Sequence, residues 1–219
     1  MRSLIIAIDG PSGAGKGTVA RAVASSLGYR HVDSGAMYRA IGWKAARRGV
    51  ALDDEDGVAR LARDSAIAID DQRISIDGMD VSREIRTPEI DRAAAAVARL
   101  PGVRLILVAE QRAMAKTDKG LVMEGRDIGT VVFPQADVKI YLDASPEERA
   151  RRRATDPAHS GGSTVVAEVA TALTARDELD RTRKTSPLYA AADAIVIDTT
   201  GKTVNQVVAE VLSIVESHH

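Results

Sequence analysis

The stretch Gly10-Pro11-Ser12-Gly13-Ala14-Gly15-Lys16-Gly17-Thr18 follows directly on the apolar run Leu4-Ile5-Ile6-Ala7-Ile8 and its terminal Asp9. After it, Val19, Val23 and Leu27 recur on one helical stripe that closes at Gly28, a residue suited to a helix C-cap. A strand, a glycine-rich turn with lysine and a helix form the signature of a loop that closes backbone N–H groups around a polyphosphate. Gly10, Gly13 and Gly15 leave room for that approach. Ser12, Ala14 and Gly17 complete the wall, and Thr18 opens the helix. Lys16 supplies a mobile full charge. The usual pattern places Ser or Thr directly after the lysine; here Gly17 stands there and Thr18 comes one residue later. A glycine turn without a ligand is the bland alternative. The strand before it and the helix after it argue against that.

Outward from this loop, apolar runs at Leu121–Met123, Val138–Leu142 and Ala194–Ile197, with a weaker one at Arg30–Val32, alternate with helical stretches. Such alternation predicts a mostly parallel sheet covered on both faces. Ser145-Pro146-Glu147-Glu148 and Thr203-Val204-Asn205-Gln206 have the spacing of capping boxes. The second precedes a helix in which Val204, Val207, Val208, Val211 and Val215 are expected to face inward. Two segments interrupt the alternation. Ile67, Ile69, Ile74 and Ile76 alternate with smaller or polar residues and predict a β-hairpin over Ala66–Asp77. Thr155–Ser163 is polar, with one proline and two glycines, and reads as a candidate lid.

Composition excludes several functions. The chain has 219 residues, enough for one elaborated α/β domain, and no cysteine, so disulfides and thiolate sites are ruled out. Aromatic residues make up 3%, which leaves little for base-stacking platforms. A net charge of −1 disfavours a general polyanion or membrane-surface binder. The opening apolar run is too short for a signal peptide or a membrane span, and a cytoplasmic location is expected. Of the 30 basic residues, 23 are Arg, which codon bias or a demand for planar phosphate-binding forks would equally explain. No Asn-Lys-x-Asp base-reading motif of a GTPase is present, and the length leaves no room for the coupling domains of a motor. A kinase of a small acceptor fits best.

Further candidates come from spacing. Ser34-Gly35 opens a helix after the second strand, with Tyr38 and Arg39 one turn inside; an ordinary N-cap or an anion seat both fit. Arg176, Asp180 and Arg183 are spaced to share one helical face, as a binding set or as a solvated ion-pair surface. Arg104 and Gln111 also share a face. Glu124-Gly125-Arg126-Asp127 leaves the carboxyl end of the third strand, the edge where parallel sheets hold ligands.

These segments resemble bacterial cytidylate kinases along essentially the whole chain. The resemblance is carried by IDGPSGAGKGT at Ile8–Thr18, DSGAMYRA at Asp33–Ala40 and EIRTPEI at Glu84–Ile90. It continues through EGRDIGTVVFPQADVKIYLDAS at Glu124–Ser145 and RDELDRTR at Arg176–Arg183. It implies one P-loop kinase domain over 1–219, with a five-stranded parallel sheet. An acceptor-binding insertion is implied at about 64–100, and a lid at about 151–164. The implied reaction transfers phosphoryl from ATP to CMP or dCMP, with Mg²⁺ held through ATP and water, and Thr18 or Asp33 nearby rather than as assigned ligands. By similarity, Lys16, Arg126, Arg152 and Arg153 are catalytic, with Arg149 beside the last two. Arg104 and Asp127 read cytosine, and Arg176 and Asp180 contact the ribose. Arg183 lies toward the phosphates, and Ser34, Gly35, Tyr38, Arg39 and Arg126 surround the acceptor phosphate. The chain departs from the pattern at Ala95, where a serine that touches the base is usual. Neither nucleic acid nor membrane is an expected partner, and a monomer is the expected state. Two rival readings are a P-loop kinase of a small hydroxylated metabolite and a non-catalytic nucleotide-binding module. Retention of Lys16 and of the arginine-rich lid argues against the second.

Overall fold

Near-continuous apolar runs such as Leu4–Ile8 make strands that can bury both faces, as a parallel sheet flanked by helices requires. The computed structural model describes residues 3–70, 73–116, 119–156 and 164–218. Residues 157–163 of the expected lid lie outside them. The first half runs β1 (Ile5–Asp9), α1 (Lys16–Leu27), β2 (Arg30–Asp33), α2 (Ser34–Arg48) and α3 (Glu55–Arg63). It continues through β3 (Ile67–Asp70), β4 (Arg73–Ile76), β5 (Met79–Asp80), α4 (Pro88–Val97) and α5 (Pro101–Ala113). The second half holds β6 (Leu121–Gly125), a π-helix (Ile128–Val132), β7 (Val138–Asp143), α6 (Pro146–Ala154), α7 (Val166–Thr182), β8 (Ile195–Asp198) and α8 (Val204–Glu216).

The chain forms two compact units. The larger holds the described residues up to Asp33, then Met114–Thr155 and the described residues beyond 163; the smaller holds Ser34–Ala113. In the larger unit, β2-β6-β1-β7-β8 form a five-stranded, wholly parallel sheet. Its register sets Ile8 beside Glu124 and Asp9 beside Gly125. Ile6 and Ile8 of β1 join Val122, Ile140, Leu142 and Ile197 in a core closed by α1 and α8 through Val19, Val23, Val207, Val211 and Val215. The chain leaves β1 toward β2 on one side, and after β6 crosses to β7 on the other. The carboxyl end of β1 is therefore the point at which the winding reverses, and a crevice for ligands opens there.

In the smaller unit α2 packs on α3 and α4, and α3 on α5. The predicted hairpin is present: β3 and β4 pair antiparallel from Ile67 opposite Ile76 to Asp70 opposite Arg73. A third strand, β5, adds to β4. Its two residues carry no periodicity that a sequence pattern would register.

Helix ends test the capping expectations. Thr203 and Gln206 form both arms of a capping box, Gln206 N donating to Thr203 Oγ1 at 3.3 Å and Thr203 N to Gln206 Oε1 at 2.9 Å. Ser145 accepts from Glu148 N at 3.2 Å, but Glu148 turns its carboxylate to Arg151 and Arg152, so only half of that box forms. Val204 is 45% exposed, unlike Val207, Val211 and Val215, because the first helical residue projects ahead of the sheet contact. Losing an N-cap hydroxyl typically costs about 1 kcal/mol. Thr203→Ala is expected to lower the unfolding free energy by that amount in urea denaturation, with an unchanged denaturant slope.

Candidate active site

The site grows from the end of β1. Gly13 sits at φ 82°, where a Cβ would approach the Cβ and carbonyl of Arg149 to 2.9 Å, and Gly15 caps α1 at φ 89°. Side-chain-bearing residues rarely adopt that backbone, so the close loop requires glycine at both places. The loop is braced from behind. Arg149 of α6 is buried and donates through Nη1 to Ser12 O at 3.1 Å and through Nε to Ala144 O at 3.2 Å; it also pairs with Asp177 of α7. Thr199, past β8, is 2% exposed, and its hydroxyl lies 3.3 Å from Ala14 O and 2.9 Å from Asp143 O. Arg152 donates to Glu148 at 2.8 Å and to the hydroxyl and carbonyl of Thr199 at 2.9 and 2.7 Å. Its Nη1 is 3.6 Å from the place a Gly15 Cβ would take. Arg153 is half-buried on the same helix.

Lys16 is buried at the first residue of α1 and donates to Pro11 O at 2.7 Å. Burial strips its ammonium of water and, with repulsion from Arg126, lowers its pKa to about 7 against the pull of Glu124, Asp9 and Asp33. Thr18 is exposed. The space beside Gly17 is taken by Glu124, whose Oε1 is 3.2 Å from where a Cβ would stand. Glu124 Oε1 also lies 3.1 Å from Nε2 of buried His31.

Beyond β6 two ion pairs assemble the predicted acceptor residues of the larger unit. Arg126 donates through Nε to Asp180 Oδ2 at 3.0 Å, and Arg183 Nη2 lies 3.4 Å from Asp127 Oδ1. Burial alone would raise the Asp180 pKa; Arg126, Arg176 and Arg183 outweigh it and hold the carboxyl low. The spacing predicts Arg183 on the helix face of Arg176 and Asp180. Instead α7 ends at Thr182, and Arg183 continues in extended backbone at ψ 138°, bonded through Nε to the carbonyl of Ser186. It still reaches Asp127, from beyond the helix.

In the smaller unit, Ser34 and Gly35 open α2, and Tyr38 and Arg39 follow within it. The Arg104 guanidinium of α5 stands over the Tyr38 ring, 5.7 Å from its centre, and Arg104 and Gln111 are both buried. Arg39 donates to Asp91 of α4 at 3.0 Å. Ala95 lies on α4, half-buried. The sequence marked the Glu124–Asp127 segment as a ligand edge but assigned no individual role to Asp9, His31, Glu124, Asp177 or Thr199. Only the register of strands and the docking of α6 and α7 bring these residues to the loop.

A parallel sheet whose central strand ends in this glycine loop, lysine and helix is the fold of P-loop kinases. The chain belongs to the cytidylate kinase family, whose model matches residues 6–217. It is 48% identical over 216 residues to a cytidylate kinase of Desulfitobacterium hafniense (strain Y51), covering 97% of this chain and 93% of that one. It is 50% identical over 206 residues to one from Caldanaerobacter subterraneus subsp. tengcongensis, covering 94% and 92%. Among solved structures, a gluconokinase from Sinorhizobium meliloti 1021 shares the fold, with a TM-score of 0.50 at 14% identity over 97% of this chain and 90% of that one. No helix among the described residues is long and apolar enough to cross a membrane.

A buried cation whose pKa falls from 10.5 to about 7 destabilises the folded, ligand-free chain most below pH 7. Between 7 and 10.5 the folded state has shed the proton that the unfolded chain keeps, so the penalty fades as pH rises. Lys16→Met is therefore expected to raise the Tm of the ligand-free protein by at least ~3 °C near pH 7, where each kcal/mol moves Tm about 2–4 °C in a chain of this size. Thermal melts should show that gap closing toward pH 10, and the same variant should lose phosphoryl transfer.

Proposed function

We propose that this chain transfers the γ-phosphoryl group of ATP to CMP, and to dCMP, giving ADP and CDP or dCDP. The observation that carries this reading is the family match across residues 6–217, joined to a glycine loop and Lys16 held beside the Arg126–Asp127 turn on adjacent strands. That match disfavours a non-nucleotide acceptor. A CMP phosphate oxygen attacks the γ-phosphorus; the new P–O bond forms as the bond to the bridging oxygen breaks, and ADP leaves. A phosphate monoester has a second pKa of about 6, so the attacking group is already ionised near neutral pH and needs no general base. The protein's work is alignment and charge stabilisation.

Gly10, Ser12, Gly13, Ala14, Gly15, Lys16, Gly17 and Thr18 hold the donor phosphates by their N–H groups. Lys16, Arg126, Arg152 and Arg153 carry the charge that develops during transfer. Binding a polyphosphate gives Lys16 the counter-charge that burial denies it, so the lysine stays protonated in the complex. Asp127 accepts from the exocyclic amino group of cytosine and repels the carbonyl oxygen that uracil presents there. Arg176 and Asp180 take the ribose, and Arg183 the phosphates. Ser34, Gly35, Tyr38, Arg39 and Arg104 keep the acceptor roles that the family pattern assigns them. Among the described residues no cluster of three or more acidic or histidine side chains forms a metal cage. The oxygen-bearing groups near Lys16, Asp33 and Glu124, with the Thr18 hydroxyl, suit a cation that keeps its waters, so Mg²⁺ fits as a companion of ATP. When bound, Mg²⁺ supplies charge neutralisation at the donor phosphates.

A coupled ADP-release assay with CMP, dCMP, UMP, AMP and GMP tests this directly: CMP and dCMP are expected to lead in kcat/KM. Asp127→Asn should narrow the preference for CMP over UMP by about tenfold, the scale of one charged hydrogen bond. An unchanged ratio would remove Asp127 from base reading.

A further inference from the structure

One buried acid near the loop has no part in the chemistry above. Asp9, the last residue of β1, is 5% exposed. Its Oδ1 accepts from Ile128 N at 2.8 Å and its Oδ2 from Gly129 N at 2.7 Å. These donors open the π-helix, in which Val131 N and Val132 N return to Asp127 O, and Phe133 N to Ile128 O. The first N–H groups of any helical segment lack partners within it. Here one carboxylate, about 120 positions away in sequence, satisfies two of them.

Its place gives this capping a consequence. Asp9 immediately precedes Gly10, the root of the donor-phosphate loop, and the residues it grips immediately follow Arg126 and Asp127. The same turn is held on its other side by Asp180 on Arg126 and by Arg183 on Asp127. We propose that Asp9 is a positioning residue that fastens the Arg126–Asp127 turn to the root of the glycine loop, so that groups engaging the acceptor stay in register with groups holding the donor. The inference rests on the phosphoryl-transfer reading above and adds to it a residue that touches neither nucleotide.

The clamp depends on charge. Burial pushes the Asp9 carboxyl up to about 6; the N–H groups of Gly129 and Ile128 and the charge of Lys16 oppose this, and Asp127 adds to it. Lys139 of β7 lines the other side of Gly129 with its Cγ and Cδ, but its ammonium goes to Pro134 O and Asp193. Once protonated, one Asp9 oxygen becomes a donor facing an N–H, and one of the two bonds is lost. The turn is fastened above about pH 6 and loosened below it.

Two measurements test this. In the wild-type protein, amide hydrogen exchange of Ile128 and Gly129, corrected for the chemical exchange rate, should lose about tenfold in protection between about pH 7.5 and pH 5. The amides of β6 and β7 should change far less. In Asp9→Asn, kcat/KM for CMP should fall about tenfold or more near pH 8, mainly through KM for CMP, with a clearly smaller loss of ATP affinity through the lost counter-charge at Lys16. The wild-type to variant ratio, in which the titration of CMP itself cancels, should shrink toward one below pH 6. A ratio flat across pH, equal losses for ATP and CMP, or pH-independent protection at Ile128 and Gly129 would each overturn the proposal. If Asp9→Asn does not fold, the wild-type exchange experiment decides alone. Failure of the wild-type protein to phosphorylate CMP would sink the functional reading, while exchange would still report whether Asp9 holds the turn.

Discussion

Keeping one cation out of water at the end of the central strand is the constraint on which the rest of this structure depends. Lys16 has to lie inside a loop too narrow for side chains, with its ammonium bonded to a single carbonyl and its hydration gone. Such a group destabilises the ligand-free fold; nearby acids offset only part of that cost, and a braced loop keeps the group in place. Glu124, Asp9 and Asp33 supply the acids, each from the carboxyl end of a different parallel strand. Arg149 and Thr199 supply the rigidity, bonding to the carbonyls of Ser12 and Ala14 from behind. The ligand-free protein thus carries an unsatisfied demand for negative charge at the place where a polyphosphate would meet it.

The arginines follow the same logic. Arg126, Arg149, Arg152 and Arg183 each face a carboxylate: Asp180, Asp177, Glu148 and Asp127. Buried ion pairs add little net stability, because desolvation offsets most of the attraction. They do fix geometry, since a planar fork bonded on one edge keeps its other edge in a defined direction. A net charge of −1 and a site rich in guanidinium groups are therefore compatible: the acids that balance the arginines also orient them.

What sequence pattern could reveal was whatever is local in the chain. The glycine loop is contiguous, so its strand, turn and helix could be read at once; the Thr203–Gln206 box and the Ile67–Ile76 hairpin are likewise complete within a few residues. Glu148 shows where local reading stops. Its spacing to Ser145 is that of a capping box, yet two arginines one turn further on compete for its carboxylate and win, because a charged partner outbids a backbone N–H. Arg183 fails differently. Periodicity carries it on along α7, but the bond from its Nε to Ser186 O holds it in extended backbone.

Asp9 and Glu124 were illegible for a deeper reason. Both lie in recognisable motifs, yet each acquires its role from strand register: pairing β1 with β6 sets Ile8 beside Glu124 and Asp9 beside Gly125. A slip of one residue would turn both side chains to the opposite face of the sheet. The hydrophobic core prevents that slip, because Ile6, Ile8, Val122 and Ile140 have to meet α1 and α8. The apolar residues that look least functional thus decide which acids stand beside the lysine. The chemistry of the loop is specified partly by valines and isoleucines that pack against Ala14 of the loop and against α1.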